Sequence, residues 1–209
     1  ELPIVFTSIN DDEYYDDNKP EPKPGEGIGI RFYGASSGLF KHCVVKYGDG
    51  IRLWSPNSPA IEDCSFTKNQ GCAISVANCS PVIKNNTISC NVAPSGWDVA
   101  AIKLNMASPR IENNIISQNE GDGVWGVDSQ SCPVIIGNVM ENNGRFPYCH
   151  PPAGRFIYQG NVVKGNGYQA IGIQGRDDCR IDRDTIWKKE ELPYLVVWYG
   201  ITVDEGKIL

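Results

Sequence analysis

Positive charge is outnumbered in this chain of 209 residues. Nineteen Lys and Arg face 25 Asp and Glu, for a formal net charge of −6. Tracking a phosphate backbone needs a basic patch, so no nucleic-acid partner is expected. Long apolar runs are missing: none approaches the roughly 20 residues of a membrane-crossing helix, so no membrane span is expected. None of the eight cysteines falls in a CxxC or CxxCH spacing, which leaves metal-finger and haem readings without their ligand pattern. The two histidines, His42 and His150, lie far apart with no acid or nucleophile grammar beside them, so Ser-His-Asp or Cys-His catalysis has little support. Helical periodicity is also missing, since no 3.6-residue apolar stripe outlasts about two turns.

What is present is a repeat. One phrase recurs seven times: an apolar residue, then Cys, Asn or Asp three positions on, then another apolar residue two further. The copies run from FKHCVV at Phe40–Val45 through IEDCSF, IKNNTI, IENNII, IIGNVM and YQGNVV to IDRDTI at Ile181–Ile186. They place Cys43, Cys64, Asn86, Asn114, Asn138, Asn161 and Asp184 in one column, with steps of 21, 22, 28, 24, 23 and 23 residues. That unit is too short for a helical hairpin repeat of roughly 34 residues, and it lacks the leucine grammar of a leucine-rich repeat. Its apolar segments are short, β-branched and alternating (IRLW, AISV, AIKL, IGIQ), which reads as strand. Gly, Pro, Asn and Ser clusters between them are turn chemistry.

These features predict an all-β, right-handed parallel β-helix, a single-stranded solenoid of about seven to nine coils of roughly 22–23 residues, spanning 1–209 as one domain. Coils stacked about 4.8 Å apart superpose equivalent positions. Two apolar columns, Phe40/Ile61/Ile83/Ile111/Ile135/Tyr158/Ile181 and Val45/Phe66/Ile88/Ile116/Met140/Val163/Ile186, then line the interior. The polar column becomes a ladder in which each amide bonds to the next coil, with two thiols small enough to share the slot. An acidic and Pro-rich loop is expected at 10–26, an insertion at about 90–98, and an irregular coil at about 144–157, where Pro147 removes a ladder donor. The even cysteine count is consistent with disulfides in an oxidising compartment, with the pairing left open.

The repeats SPVIKNNTIS and SPRIENNIIS, and the opening LPIVFTSINDD ahead of the strand Ile28–Phe32, resemble the right-handed parallel β-helix repeat proteins of microbial cell surfaces and secreted multidomain proteins, which share the pectin-lyase-like fold. The likeness implies a fold; that fold hosts lyases, polygalacturonases, adhesins and passive spacers alike. The tail Thr185–Leu209 resembles a segment that begins such a domain. Neither end has a cap pattern, so the C-terminal strands at 192–209 are expected to pair with a neighbouring unit, the alternative being that they fold back as a cap.

Three patches invite chemistry. Clustered carboxylates at Asp11, Asp12, Asp16 and Asp17 suit a hard cation such as Ca²⁺; lacking EF-hand spacing, they also fit a solvated acidic loop, and no other cofactor is implied. Alternation turns Ile28, Ile30, Ile51, Leu53, Ile74, Val76, Ile102 and Leu104 inward and Arg31, Arg52, Ser75 and Lys103 outward. With Tyr33 and Trp54 beside them, these cations form a candidate glycan-binding stripe. No carboxylate cluster adjoins it of the kind that holds Ca²⁺ in β-helix lyases. Asp177 and Asp178 are the one adjacent carboxylate pair near a strand end that a glycosidase reading could use; no catalytic residue is assigned. The expectation is therefore an extracellular or cell-surface structural or interaction protein, a β-helical rod or filament unit associating end to end or with further β-helix of a longer chain. The alternative is a β-helix that binds or degrades polysaccharide.

Overall fold

A computed structural model describes residues 2–14, 20–54, 57–94, 99–174, 180–197 and 200–209. Every assigned element among them is a strand, and every strand pairing is parallel. The strands sort into sheets of seven, eight and six that run the length of the molecule, plus a two-stranded sheet near the C-terminus. The chain visits the three long sheets in turn, so each circuit is one coil of a β-solenoid, about seven turns in all.

The two apolar columns fill the tube. Ile61, Phe66, Ile83, Ile88, Ile111, Ile116, Ile135 and Met140 are fully buried, and burying each such side chain stabilises by about 1.5–3 kcal/mol. Inward residues of the eight-stranded sheet, from Ile51 and Leu53 to Ile102 and Leu104, complete the core. Ile28 departs from expectation and is exposed, because it precedes the strand Ile30–Tyr33 at the edge of the stack.

The polar column forms as a hydrogen-bonded ladder. In each coil the Asn Oδ1 accepts from the backbone N–H and Nδ2 of the Asn one coil earlier: Asn86 to Asn114 at 2.9 and 3.0 Å, Asn114 to Asn138 at 3.0 and 2.9 Å, Asn138 to Asn161 at 2.9 and 3.0 Å. Nδ2 also donates to an earlier coil's carbonyl, as Asn114 does to Ile83 O at 2.9 Å. Each ladder residue follows a left-handed one: His42, Asp63, Asn85 and Asn113 have φ of 53–57°, while Gly137 and Gly160 serve later coils. The backbone there turns a corner and leaves an N–H pointing along the tube, which the next amide oxygen receives.

A second ladder stands five residues on: Asn69, Asn91, Asn119, Asn143 and Asn166 repeat the same bonds at 2.8–3.2 Å. The N–H of Gly48 opens it on Asn69 Oδ1 at 3.1 Å. At this corner adjacent coils approach closely, so a Cβ on Gly144 would stand 2.1 Å from the Glu120 carbonyl oxygen.

At the N-terminal end the first ladder is sulfur-based. Cys43 N–H meets Cys64 Sγ at 3.4 Å, and Cys64 N–H donates to Asn86 Oδ1 at 2.9 Å. The expected disulfides are absent among the described residues, whose seven cysteines form none; Cys179 lies outside them. The thiols have other partners: Cys43 and Cys64 turn to the carbonyls of Lys41 and Glu62, and Cys90 to Gln118 Oε1. Burial pushes the Cys64 thiol up to about 12, so it stays a neutral, unreactive donor.

The seventh phrase breaks. Asp184 is exposed and accepts the Ile208 N–H at 3.3 Å, and Ile186 is 83 % exposed. A carboxylate has no donor for the carbonyl of the coil before it, and burying its charge is costly. Glu191 closes the ladder from outside, accepting from the N–H groups of Gly160 at 2.8 Å and Asn161 at 3.3 Å. Gln169, with its amide oxygen turned to Asn166 N–H at 3.2 Å, closes the second ladder in the same way.

The coil at 144–157 is more regular than expected. Pro147 sits just before the strand Tyr148–His150, where its missing N–H costs nothing, and its carbonyl accepts from Val124 at 3.0 Å. Irregularity is confined to the turn after it, closed by Gly154 N–H on Pro151 O at 2.9 Å. Residues 95–98 of the expected insertion lie outside the described residues. The C-terminal strands pair within the chain: Tyr194–Val196 continues the eight-stranded sheet, and Thr202–Val203 pairs with Arg180–Ile181.

Truncating Asn114 to Ala leaves the Ile83 carbonyl and the Asn86 N–H buried without partners, at about 1–3 kcal/mol each. Asn114→Ala should lose at least about 3 kcal/mol in urea unfolding. Asn161→Ala removes the matching bonds to the Asn138 N–H and the Ile135 carbonyl, but at a half-buried corner where water can replace them, and should lose less.

Candidate functional site

The outward stripe assembles on the eight-stranded sheet. Cα partners run in one file: Arg31 with Arg52, Arg52 with Ser75, Ser75 with Lys103, then Lys103 with Trp125 and Trp125 with Cys149. Tyr33 and Trp54 lie one coil apart in the next outward file, ring centroids 5.9 Å apart and tilted by 46°, both more than half exposed. Lys103 Nζ stands 4.9 Å above the Trp125 ring, which directs its charge along the face.

The stripe is two-part. Over the early coils Arg31, Arg52, Tyr33 and Trp54 are open to solvent. Over the later coils Trp125, Phe146, Cys149, Ala100 and Ala170 form a second small apolar cluster with Val127 and Val197 packed on it.

Against the later half lies a polar cluster that the sequence pattern did not reveal. Asp122 opens the strand Asp122–Gly126 and is almost wholly buried. Its Oδ1 accepts the Phe146 N–H at 2.9 Å and faces Arg145 Nε at 3.7 Å; Oδ2 has no hydrogen-bond partner. Burial pushes its pKa up to about 6, against the pull of Arg145 and the Phe146 N–H. Arg145 Nη2 donates to Gln174 Oε1 at 3.1 Å, which also receives the Cys149 thiol at 3.2 Å. Cys72 is close enough to feel Lys103, Arg52 and Asp122, but burial raises its thiol pKa. The cluster can hold or release one proton near neutral pH. Two buried, raised thiols offer no activated nucleophile. Asp122 escaped the sequence reading because Gly-Asp-Gly occurs only at 48–50 and 121–123, too sparsely to mark a column.

The other predicted residues separate. Asp11 is bound by Lys46 Nζ at 2.8 Å and by the Thr7 hydroxyl at 2.5 Å, and Lys46 also holds Glu13 at 2.5 Å. The Lys46 ammonium thus neutralises Asp11 and Glu13 of the loop. Asp12 adjoins this loop; Asp16 and Asp17 lie outside the described residues, as do Asp177 and Asp178. Among the described residues no group of three or more His, Cys, Asp or Glu side chains is gathered to hold a metal. The histidines stay apart: His42 is an exposed corner residue. His150 is buried against Tyr148 and Phe156, its Nδ1 2.6 Å from Pro151 O and its Nε2 unpartnered.

A tube of parallel coils with internal asparagine ladders and one long outer sheet defines the class of β-helical solenoids. A family model described as "Right handed beta helix region" matches residues 28–186, more than half of the chain. The protein belongs to that family. No curated protein and no solved structure matches the chain.

Two of the buried titratable groups, Asp122 and His150, pull stability in opposite directions. Asp122 moves from 3.8 to about 6 on folding. The folded state holds its proton more tightly, so its contribution is complete below about pH 4 and is lost as pH rises through about 6. Burial lowers His150 from 6.5 to about 4. Its contribution is present above pH 6.5 and is lost as pH falls towards 4. The wild type should therefore show a shallow profile between pH 4 and 6.5. Asp122→Asn should expose the His150 slope, with stability rising by up to about 3 kcal/mol over that window in urea melts. A flat profile in the variant would contradict this account.

Proposed function

We propose that the protein is a non-catalytic β-helical rod of the cell surface or extracellular space, a unit that associates end to end with copies of itself. One observation carries the reading: exposed large apolar side chains concentrate at the two ends of the tube. Leu2, Ile4, Ile9, Ile28 and Leu39 gather at the first coil, and Ile186, Leu195, Val196, Val203 and Ile208 at the last. Each end also carries a strand of the eight-stranded sheet with one edge unpaired, Ile30–Tyr33 and Tyr194–Val196. Unpaired parallel edges flanked by apolar side chains suit strand addition. A joint between unlike ends does not close on itself and gives a filament. The extracellular placement rests on the resemblance of the coils to secreted and surface repeats.

Size-exclusion chromatography with light scattering tests the rod. Mass should climb with concentration, and the double variant Ile4→Lys/Ile28→Lys should stay monomeric with an unchanged β circular-dichroism spectrum. A wild type that is monomeric at every concentration up to several hundred micromolar, by order of magnitude, sinks self-association.

A second reading is supported by the open half of the stripe. Arg31, Arg52 and Lys103 in one file, with Tyr33 and Trp54 beside them, suit an acidic polysaccharide lying across the coils through charge-assisted hydrogen bonds and ring stacking. In affinity electrophoresis against polygalacturonate and alginate, Arg52→Ala and Trp54→Ala should each weaken retardation about tenfold, an effect of ~1.4 kcal/mol. Equal mobility with and without the polymers would exclude this reading.

A further inference from the structure

The last coil separates from the one before it. The six-stranded sheet ends at the strand Ile157–Gln159, and the seven-stranded sheet ends at Val162–Lys164. Among the described residues the strand Arg180–Ile181 pairs only with Thr202–Val203 in its own small sheet, and of the three long sheets only the eight-stranded one continues across. Where coil-to-coil bonding stops, a cleft of about 280 Å³ opens between the segment Gly154–Phe156 and the segment Asp184–Lys188, with Glu190 and Tyr194 at its floor.

Its chemistry is mixed in a particular way. Trp187 stacks on Tyr194 at 5.5 Å and 26°, and Phe156 meets Tyr194 edge-on at 6.4 Å. The Trp187 indole N–H donates to Pro152 O at 3.0 Å, across the cleft from its own segment, which fixes the ring. All three aromatics are half-buried, presenting part of their surface to the opening. Around them stand two cations, Arg155 and Lys188, and two carboxylates, Asp184 and Glu190. Burial raises the Glu190 pKa above the usual carboxylate value.

We infer that this cleft is a binding site for a neutral saccharide, one or two pyranose units of an oligosaccharide chain. Aromatic rings accept the apolar face of a pyranose. Sugar hydroxyls both donate and accept, so they can satisfy carboxylates and cations in one place. Balanced charge selects against a strongly anionic ligand, and two carboxylates beside two cations make a poor phosphate site. The size lies near the lower end of ligand pockets, about 300 Å³, which fits a sugar unit better than a lipid or a dinucleotide. The site is separate from the open stripe, which is built from coils at the other end of the tube, but Ile186 and Tyr194 line it, so end-to-end association as proposed above would compete with saccharide binding.

Isothermal titration calorimetry with gluco-, galacto- and manno-oligosaccharides of two to six units tests it on the whole chain. At least one series should bind. Trp187→Ala should weaken binding at least tenfold and Glu190→Gln several-fold, whereas Trp54→Ala should leave it unchanged. Glu190→Gln keeps the shape of the floor, so its thermal midpoint should match the wild type even if Trp187→Ala loosens the last coil. Absence of heat with all three series, binding indifferent to Glu190→Gln, or binding lost with Trp54→Ala would each overturn the proposal.

Discussion

The whole tube depends on one bond pattern, the side-chain amide that receives the N–H of the coil before it. A parallel solenoid must turn a corner several times per coil, and each corner takes backbone N–H and C=O groups out of the sheet and into the interior. Without partners those groups would offset much of what the neighbouring isoleucines supply. Asparagine solves both sides at once, because its oxygen takes the earlier coil's N–H and its nitrogen fills that coil's carbonyl. The left-handed residue before it, and the glycine just after the second ladder in the coils of Gly144 and Gly167, are the steric conditions for that placement.

The fold was legible because this bond leaves a periodic trace. The column from Cys43 to Asn161 and the apolar positions at its sides repeat at a nearly constant step, and the structure realises them coil by coil. The second ladder left a similar trace that the sequence reading missed: from Cys64 onward an asparagine follows each column member by five residues, from Asn69 to Asn166. At the end of the ladders the failures share a cause. Asp184 matches the phrase by shape and polarity but lacks the donor, so a pattern match passed where the hydrogen-bond inventory fails. Glu191 and Gln169, which end the ladders, do not repeat and so leave no periodic mark.

Sites follow the same logic. The file of Arg31, Arg52 and Lys103 could be read because strand alternation and coil stacking together determine which side chains are neighbours. Asp122 and Arg145 could not, since their proximity comes from a corner rather than from alternation. The cleft beside Trp187 arises where the repeat stops, and an interruption predicts only that something differs there. In the acidic loop, Lys46 came from a coil that the loop's own sequence does not mention, and it supplies the positive charge Asp11 requires.

The ladders also give the rod a direction. In each, the side-chain oxygens face the N-terminal end and the backbone N–H groups face the C-terminal end, so the last amides present donors. Glu191 and Gln169 answer those donors with oxygen. Like ends therefore carry like hydrogen-bonding sense and do not complement each other, and any line of such units is polar, with every member pointing the same way. With the ladders already closed at the C-terminal end, the mechanical continuity of such a line would run through one sheet, as a spine on one side of the tube, and the line would bend most easily away from it.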